Sequence, residues 1–280
     1  MLTNYHTHTR FSDGKGEPEE FVLQALKLGF DALGFSEHSP LPFENKFALI
    51  PSEIDEYVST IRSLAKVHAP DIKIFLSMEM DFIPDISENL SELKTQHGLD
   101  YTIGSVHLVV SPGGELWFID GPVSEIYDDG LKQLFGADIR KAVTSYYWQI
   151  NRMIETQKPD IIGHIDKIKM HNQQRFFRED EAWYKILVSE TLDLIANKGT
   201  IVEVNTRGIY KKRSATTYPG IEILKQLKAL GIPVTISSDA HQANELNGAF
   251  TEAGILLKAA GISDSVYFNG KTWEQTGLYE

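Results

Sequence analysis

Cysteine is absent from all 280 residues, which excludes disulfides, thiolate metal sites and cysteine nucleophiles. Any metal must be held by imidazole and carboxylate. Basic residues are scarce: 27 Lys and Arg against 39 Asp and Glu leave a formal net charge of -12, which repels a polyanion at long range and argues against nucleic acid as a partner. No stretch approaches the ~18 apolar residues of a membrane span, and the opening MLTNYHTHTR lacks the basic start and apolar run of a secretory signal. A cytoplasmic protein with no membrane partner is expected. No G-x-G-x-x-G or Walker-type loop opens a helix, so binding of nucleotide phosphates on a glycine-rich turn has no signal. Nothing here speaks to oligomeric state.

What is present is an alternation of short apolar runs with amphipathic stretches along the whole chain, the βαβα rhythm of a parallel sheet. Strands are expected near 2–6, 32–36, 72–80, 101–106, 161–164, 200–204 and 233–237. Helices are expected at 19–28, 53–68, 87–96, 139–156, 181–197, 221–230 and 245–260, with Pro18 suited to a first turn and Gly29, Gly199 and Gly231 in stop positions. Seven such units close more readily into a ring than they spread flat, so the expected fold is α/β, a distorted (β/α)7 TIM-like barrel in one domain spanning 1–280. One segment breaks the rhythm: in 108–138, SPGGELWFIDG reads as a β-hairpin and EIYDDGLKQLFG as a loop or short helix. Such an insertion is a lid or substrate wall, or else a surface embellishment.

Six of the nine histidines fall where strand-like runs end: His6 and His8, His38, His107, His164 and His241. If about seven exits of about four residues cover about a tenth of the chain, chance puts about one histidine there. His6 and His8 are two apart, so an extended strand presents both on one face. Asp239 and His241 repeat that spacing, Glu79 ends the strand KIFLSMEM, and Asp13 lies in the turn RFSDG. Six imidazoles and three carboxylates exceed what one four-coordinate zinc uses and suit two or three divalent ions, zinc, iron or manganese. Three such ions would outweigh the charge of Asp13, Glu79 and Asp239 and leave a centre that attracts anions, which favours a small phosphate ester as substrate. Asp81, on the same face as Glu79, is the rival for its role. Glu37 points away from His38 and reads as a supporting carboxylate, while His68, His97 and His171 lie outside the pattern.

Basic residues cluster in two loops on the same rim. Lys167, Lys169, Arg175 and Arg178 face one acid, Asp166, and Arg207, Lys211, Lys212 and Arg213 face none. Arg207 shares the alternation of Glu203 and Asn205 and so should face the mouth, where an arginine grips phosphate bidentately. Arg175 and Arg178 are further candidate substrate contacts. Trp117, Phe118 and Asp120 are candidate contacts from the insertion. Ser36, Ser105, Ser237 and Ser238 lie near histidines where a metal shell needs small hydrogen-bonding residues, so a serine nucleophile is not expected.

Taken in order, HTHTRFSDG, FSEH, GSVH, GHIDKIK, EVNTRG and SSDAH resemble the PHP (polymerase and histidinol phosphatase) superfamily, and within it the histidinol-phosphate phosphatases. The resemblance runs from Tyr5 to about His241. It implies a distorted seven-stranded barrel with up to three metals. His6, His8, Glu79 and Asp239 would hold one ion, Glu79 with His107 and His164 a second, and Asp13, His38 and His241 a third. Many members have a histidine near the position of Asp13, and this chain has none between His8 and His38.

The implied reaction is hydrolysis of L-histidinol phosphate to L-histidinol and phosphate in histidine biosynthesis, with a hydroxide held between two ions attacking phosphorus. Arg207 would neutralise phosphoryl charge and Asp239 would protonate the leaving alkoxide. The alternatives are a PHP-type nuclease or nucleotide phosphoesterase, disfavoured by the acidic charge and the insertion, and a non-catalytic metal-bound module, disfavoured by so complete a ligand set. An amidohydrolase is weaker still, because no lysine stands at a strand end in place of Glu79.

Overall fold

The computed structural model describes residues 1–278. Seven strands, Thr3–Asn4, Ala32–His38, Lys73–Asp81, Ile103–Ser105, Ile161–Ile162, Ile201–Asn205 and Val234–Ser237, form one sheet in chain order, and each neighbouring pair is parallel. The sheet curls until its edges meet. Thr7 bridges Ala240 in parallel, and the His8 N–H donates to the Ala240 carbonyl at 2.8 Å. Closure satisfies the backbone groups that an open edge would leave to solvent. The result is the expected distorted TIM-like barrel, a single domain with its helices outside the ring.

Local chemistry explains the helix boundaries. Pro18–Leu28 starts with Pro at its first turn and a reciprocal Glu17–Glu20 capping box, and stops at Gly29, whose φ of 76° is left-handed. Ile139–Thr156 and Ile221–Leu230 coincide with expectation, the former behind an Asp138 side chain that accepts from the Lys141 N–H. The helix expected over 245–260 divides into a 3-10 turn, Ala243–Glu245, and a helix, Phe250–Ala259. The Asn247–Gly248 pair turns the chain between them, and Ala249 is left-handed at φ 57°.

Two hairpins decorate opposite ends of the barrel. Leu108–Val110 pairs with Leu116–Phe118, as expected of the insertion, whose second half is a full helix, Ser124–Phe135, that buries Tyr127, Leu131 and Phe135. The second hairpin, Asp264–Phe268 with Trp273–Gly277, was not among the expected elements. It packs on a cluster containing Ala32, Ile161 and Ile201, each the first residue of its strand. There the Phe268 N–H donates to the Tyr5 hydroxyl at 2.8 Å, and Trp273 stands edge-on to Tyr5 and Tyr101. That plug seals the end opposite the histidines. Among the described residues no helix is long and apolar enough to cross a membrane.

Candidate metal centre

Strand register sets the centre: His38 pairs with Glu79, and the chain leaving each neighbouring strand brings its histidine to the same end. Glu79 stands in the middle. Its Oε2 lies 3.1 Å from His6 Nε2, 3.4 Å from His8 Nε2 and 3.2 Å from His38 Nδ1. Its Oε1 lies 3.1 Å from His164 Nε2 and 3.8 Å from His107 Nε2. His241 and Asp13 complete the rim, 3.1 Å apart, and the His241 ring is 4.5 Å from that of His8. Asp239 Oδ1 reaches His8 Nε2 at 3.6 Å and His241 Nδ1 at 3.4 Å. All nine side chains expected as ligands therefore meet in one place.

Their donor atoms fit cations better than they fit each other. His6 Nε2, both ring nitrogens of His8 and Nδ1 of His164 are buried with no hydrogen-bond partner among the described residues, a costly arrangement unless something else binds them. His107 Nε2 and His164 Nε2 are 3.1 Å apart. Three sets have donor atoms mutually within 4.8 Å: His8, Asp13, His38 and His241; His6, His8 and Glu79; and His38, Glu79 and His107. His8, His38 and Glu79 each serve two sets, so the sets overlap where the resemblance implied a cleaner division. Glu79 Oε1, His107 Nε2 and His164 Nε2 also lie within 3.8 Å of one another, the grouping that the resemblance implied for the second ion.

Electrostatics separates the imidazoles. Burial, reinforced by His38, His241 and His6, holds His8 well below the usual histidine range, and burial with Lys167 lowers His164. Burial opposes charge on His6, His38 and His107 too, but there carboxylates win: Glu203 and Glu79 hold His6 well up, Asp81 and Glu79 do the same for His38, and Asp81 with Asp120 raises His107 to about 9. Burial opposes ionisation of Glu79 and Asp239. The facing imidazoles nonetheless hold Glu79 far down, and Arg207 and Lys167 do so for Asp239.

Asp239 makes further contacts with these groups. Its Oδ2 also accepts from Asn205 at 3.2 Å and from Lys167 at 3.5 Å, and its backbone is left-handed at φ 52°, which turns its carbonyl towards Arg207. These contacts favour the carboxylate form, the form in which Asp239 would ligate a metal.

Carboxylates that sequence reasoning left out of the ligand set orient the rings. Asp81 Oδ2 accepts from His38 Nδ1 at 2.9 Å, and its Oδ1 contacts His107 Nδ1. Glu203 Oε1 lies 2.6 Å from His6 Nδ1 while Oε2 accepts from the His164 N–H at 2.9 Å. Both follow the two-residue alternation that places Glu79 and Asn205 inside the ring, and that was the available signal. Glu37, pushed by burial up to about 7 against the bonds from Ser12 and Thr9, ties down the turn that carries Asp13. Gly163 leaves room for Glu79: a Cβ there would stand 2.2 Å from Ser105 Oγ. His171 reaches the Gly121 carbonyl at 2.8 Å, away from the cluster.

A cavity of ≈ 190 Å³ opens onto this cluster, and Lys167, Arg207, Arg213, Phe118 and Asp120 are among the residues that wall it. Arg207 is mostly buried and donates to the Asp239 carbonyl at 2.6 Å. Lys167, not singled out as a contact from sequence, is 4% exposed and points between Asp239 and Asp120. Arg175 and Arg178 do not reach the cavity. Arg175 forms a two-pronged pair with Asp128, and Arg178 is spent on Asp180 in solvent. Trp117 also turns away, donating to the Tyr127 carbonyl within the apolar core under the insertion.

A family model for the PHP domain matches residues 4–207. A Deinococcus radiodurans protein named "Probable histidinol-phosphatase" is 27% identical over 257 residues, covering 90% of this chain and 91% of that one. The histidinol-phosphatase of Bacillus subtilis is 27% identical over 263 residues, 88% of this chain and 95% of its own. The histidinol phosphate phosphatase of Lactococcus lactis, solved with zinc, L-histidinol and phosphate, superposes with a TM-score of 0.69 at 22% identity, covering 98% of each chain.

Proposed function

The chain belongs to the PHP-domain family, and from that membership and the geometry of its rim we propose that it is a metal-dependent phosphomonoesterase that converts L-histidinol phosphate and water to L-histidinol and phosphate. The crowding of six imidazoles and two further carboxylates around Glu79, beside a small cavity with buried cations, is the observation that carries this reading. His6, His8, Asp13, His38, Glu79, His107, His164, Asp239 and His241 would hold two or three divalent ions. When bound, such ions polarise phosphoryl oxygens and acidify water to near neutrality.

The chain's own residues do the rest. Arg207, on the Asp239 carbonyl, and Lys167, beside its carboxylate, neutralise charge on the transferring phosphoryl oxygens. Asp81 and Glu203 fix which ring nitrogens face inward, the usual service of a carboxylate behind a ligating imidazole. The insertion 108–138 serves as substrate wall, its Phe118 stacked on Phe47. A cavity of this size suits a small ester.

A phosphate-release screen tests the reading. Protein loaded in turn with zinc, manganese or iron should turn over histidinol phosphate much faster than nucleotides or DNA ends. Preference for oligonucleotide ends would favour the nuclease alternative, and no turnover of any phosphoester at full metal content would favour a binding module.

A further inference from the structure

We propose that Asp120 is the receptor for a protonated amine carried on the carbon next to the substrate's phosphorylated CH2 group, so that the enzyme selects β-amino alkyl phosphates among phosphomonoesters. This rests on the phosphomonoesterase reading above and names what the site recognises beyond phosphate.

Four acids line the cavity, Asp13, Glu79, Asp120 and Asp239, and Asp120 alone stands outside the nine proposed ligands. It arrives from the insertion, not from a strand end. Its Oδ2 is 3.6 Å from Lys167 Nζ and 3.7 Å from His107 Nε2, both beyond hydrogen-bond length. Its Oδ1 is sealed from solvent and has no partner among the described residues. The side chain keeps 12% of its surface exposed, and with Oδ1 sealed it is Oδ2 that meets the cavity, where a donor would come from. An alkylammonium offers only donors and a full positive charge, which matches that acceptor.

Position selects the vicinal amine over the imidazole ring of the same substrate. Asp120 neighbours His107, which itself reaches Glu79, so whatever it holds lies close to the phosphoryl group. The more distant ring would rest on the aromatic wall of Phe118 and Phe47, whose rings are 6.1 Å apart and nearly parallel. Asp120 is also held firmly in place. The Ile119 N–H before it donates to the His107 carbonyl at 3.0 Å, and the Gly121 carbonyl after it meets His171, the kind of support that keeps a recognition group pre-organised.

The test compares Asp120→Asn with the wild-type protein, both metal-loaded, on histidinol phosphate against its desamino analogue and on phosphoethanolamine against ethyl phosphate. Removing the charged partner should lower kcat/KM for each amine-bearing ester about 10- to 100-fold, chiefly through KM, and change the amine-free esters by less than about 3-fold. Metal content should be unchanged. Equal losses on both kinds of ester would make Asp120 a mere counter-ion of Lys167, loss of metal would make it a ligand, and no loss would make it irrelevant; each overturns the proposal. Calorimetry gives a separate readout: wild-type protein should bind L-histidinol more tightly than the desamino alcohol, and equal affinities would sink the idea without any variant. Wild-type protein inactive on every phosphomonoester would instead defeat the underlying reading.

Discussion

Glu203 Oε1 lies 2.6 Å from Nδ1 of His6, deep in the barrel where neither side chain touches solvent. The pairing leaves His6 Nε2 as the free nitrogen and aims it at Glu79. Glu203→Gln should therefore keep the fold yet reduce metal affinity about 10- to 100-fold, since an amide neither fixes the tautomer nor raises ring basicity as a carboxylate does. Metal titration of the apo protein measures this, and unchanged affinity would show that His6 needs no such partner.

Chelation should abolish phosphate release and lower the thermal midpoint, because any ligand that binds only the native state stabilises it. A metal held with excess free ion at about 100 times its Kd contributes about 2.7 kcal/mol. Calorimetric scans with and without chelator check the size of the shift. An unaltered midpoint would argue that the buried ring nitrogens are satisfied by water.

Lys167 and Arg207 should divide the work on phosphate. Lys167→Met removes a buried cation that faces Asp239 and Asp120 but bonds no backbone group, so it should cut kcat/KM by about 10- to 1,000-fold and leave metal content alone. Arg207→Ala also frees the Asp239 carbonyl, so it should weaken substrate binding and loosen one metal as well. Steady-state kinetics with metal analysis separates them; identical profiles would contradict the division.

Arg175→Ala and Arg178→Ala should leave turnover within about twofold of wild type. Exposed ion pairs of this kind contribute little to stability, because solvent screens them, so the thermal midpoints should barely move. A large rise in KM for either variant would return that arginine to the site.

Gly163→Ala should destabilise the fold by about 1–3 kcal/mol, because the added methyl meets Ser105 Oγ and stands 3.5 Å from Glu79 Oε1. Denaturant melts report the first effect and metal affinity the second. A neutral substitution would mean that the strand end beside Glu79 shifts freely.

The barrel was legible because each strand carries its own signal, an apolar run closed by a polar residue, and the seven runs have the sheet order of the sequence. The second hairpin carried a signal too: Asn269–Gly270 between Tyr and Trp-containing runs is a turn dipeptide. Arg175 and Arg178 misled because clustered charge fixes a loop's sign but not its facing, and each had an acid, Asp128 or Asp180, that only contact reveals.

By itself the amino-acid order determined the fold class and the kinds of donor available, since strand period and residue chemistry are local properties. Only the tertiary structure decided which carboxylate holds which ring, that Arg207 and Lys167 both reach Asp239, and that Lys167 and Asp120 enter the cavity. Those outcomes depend on distances between residues up to about two hundred positions apart along the chain, and such distances exist only once the ring has closed.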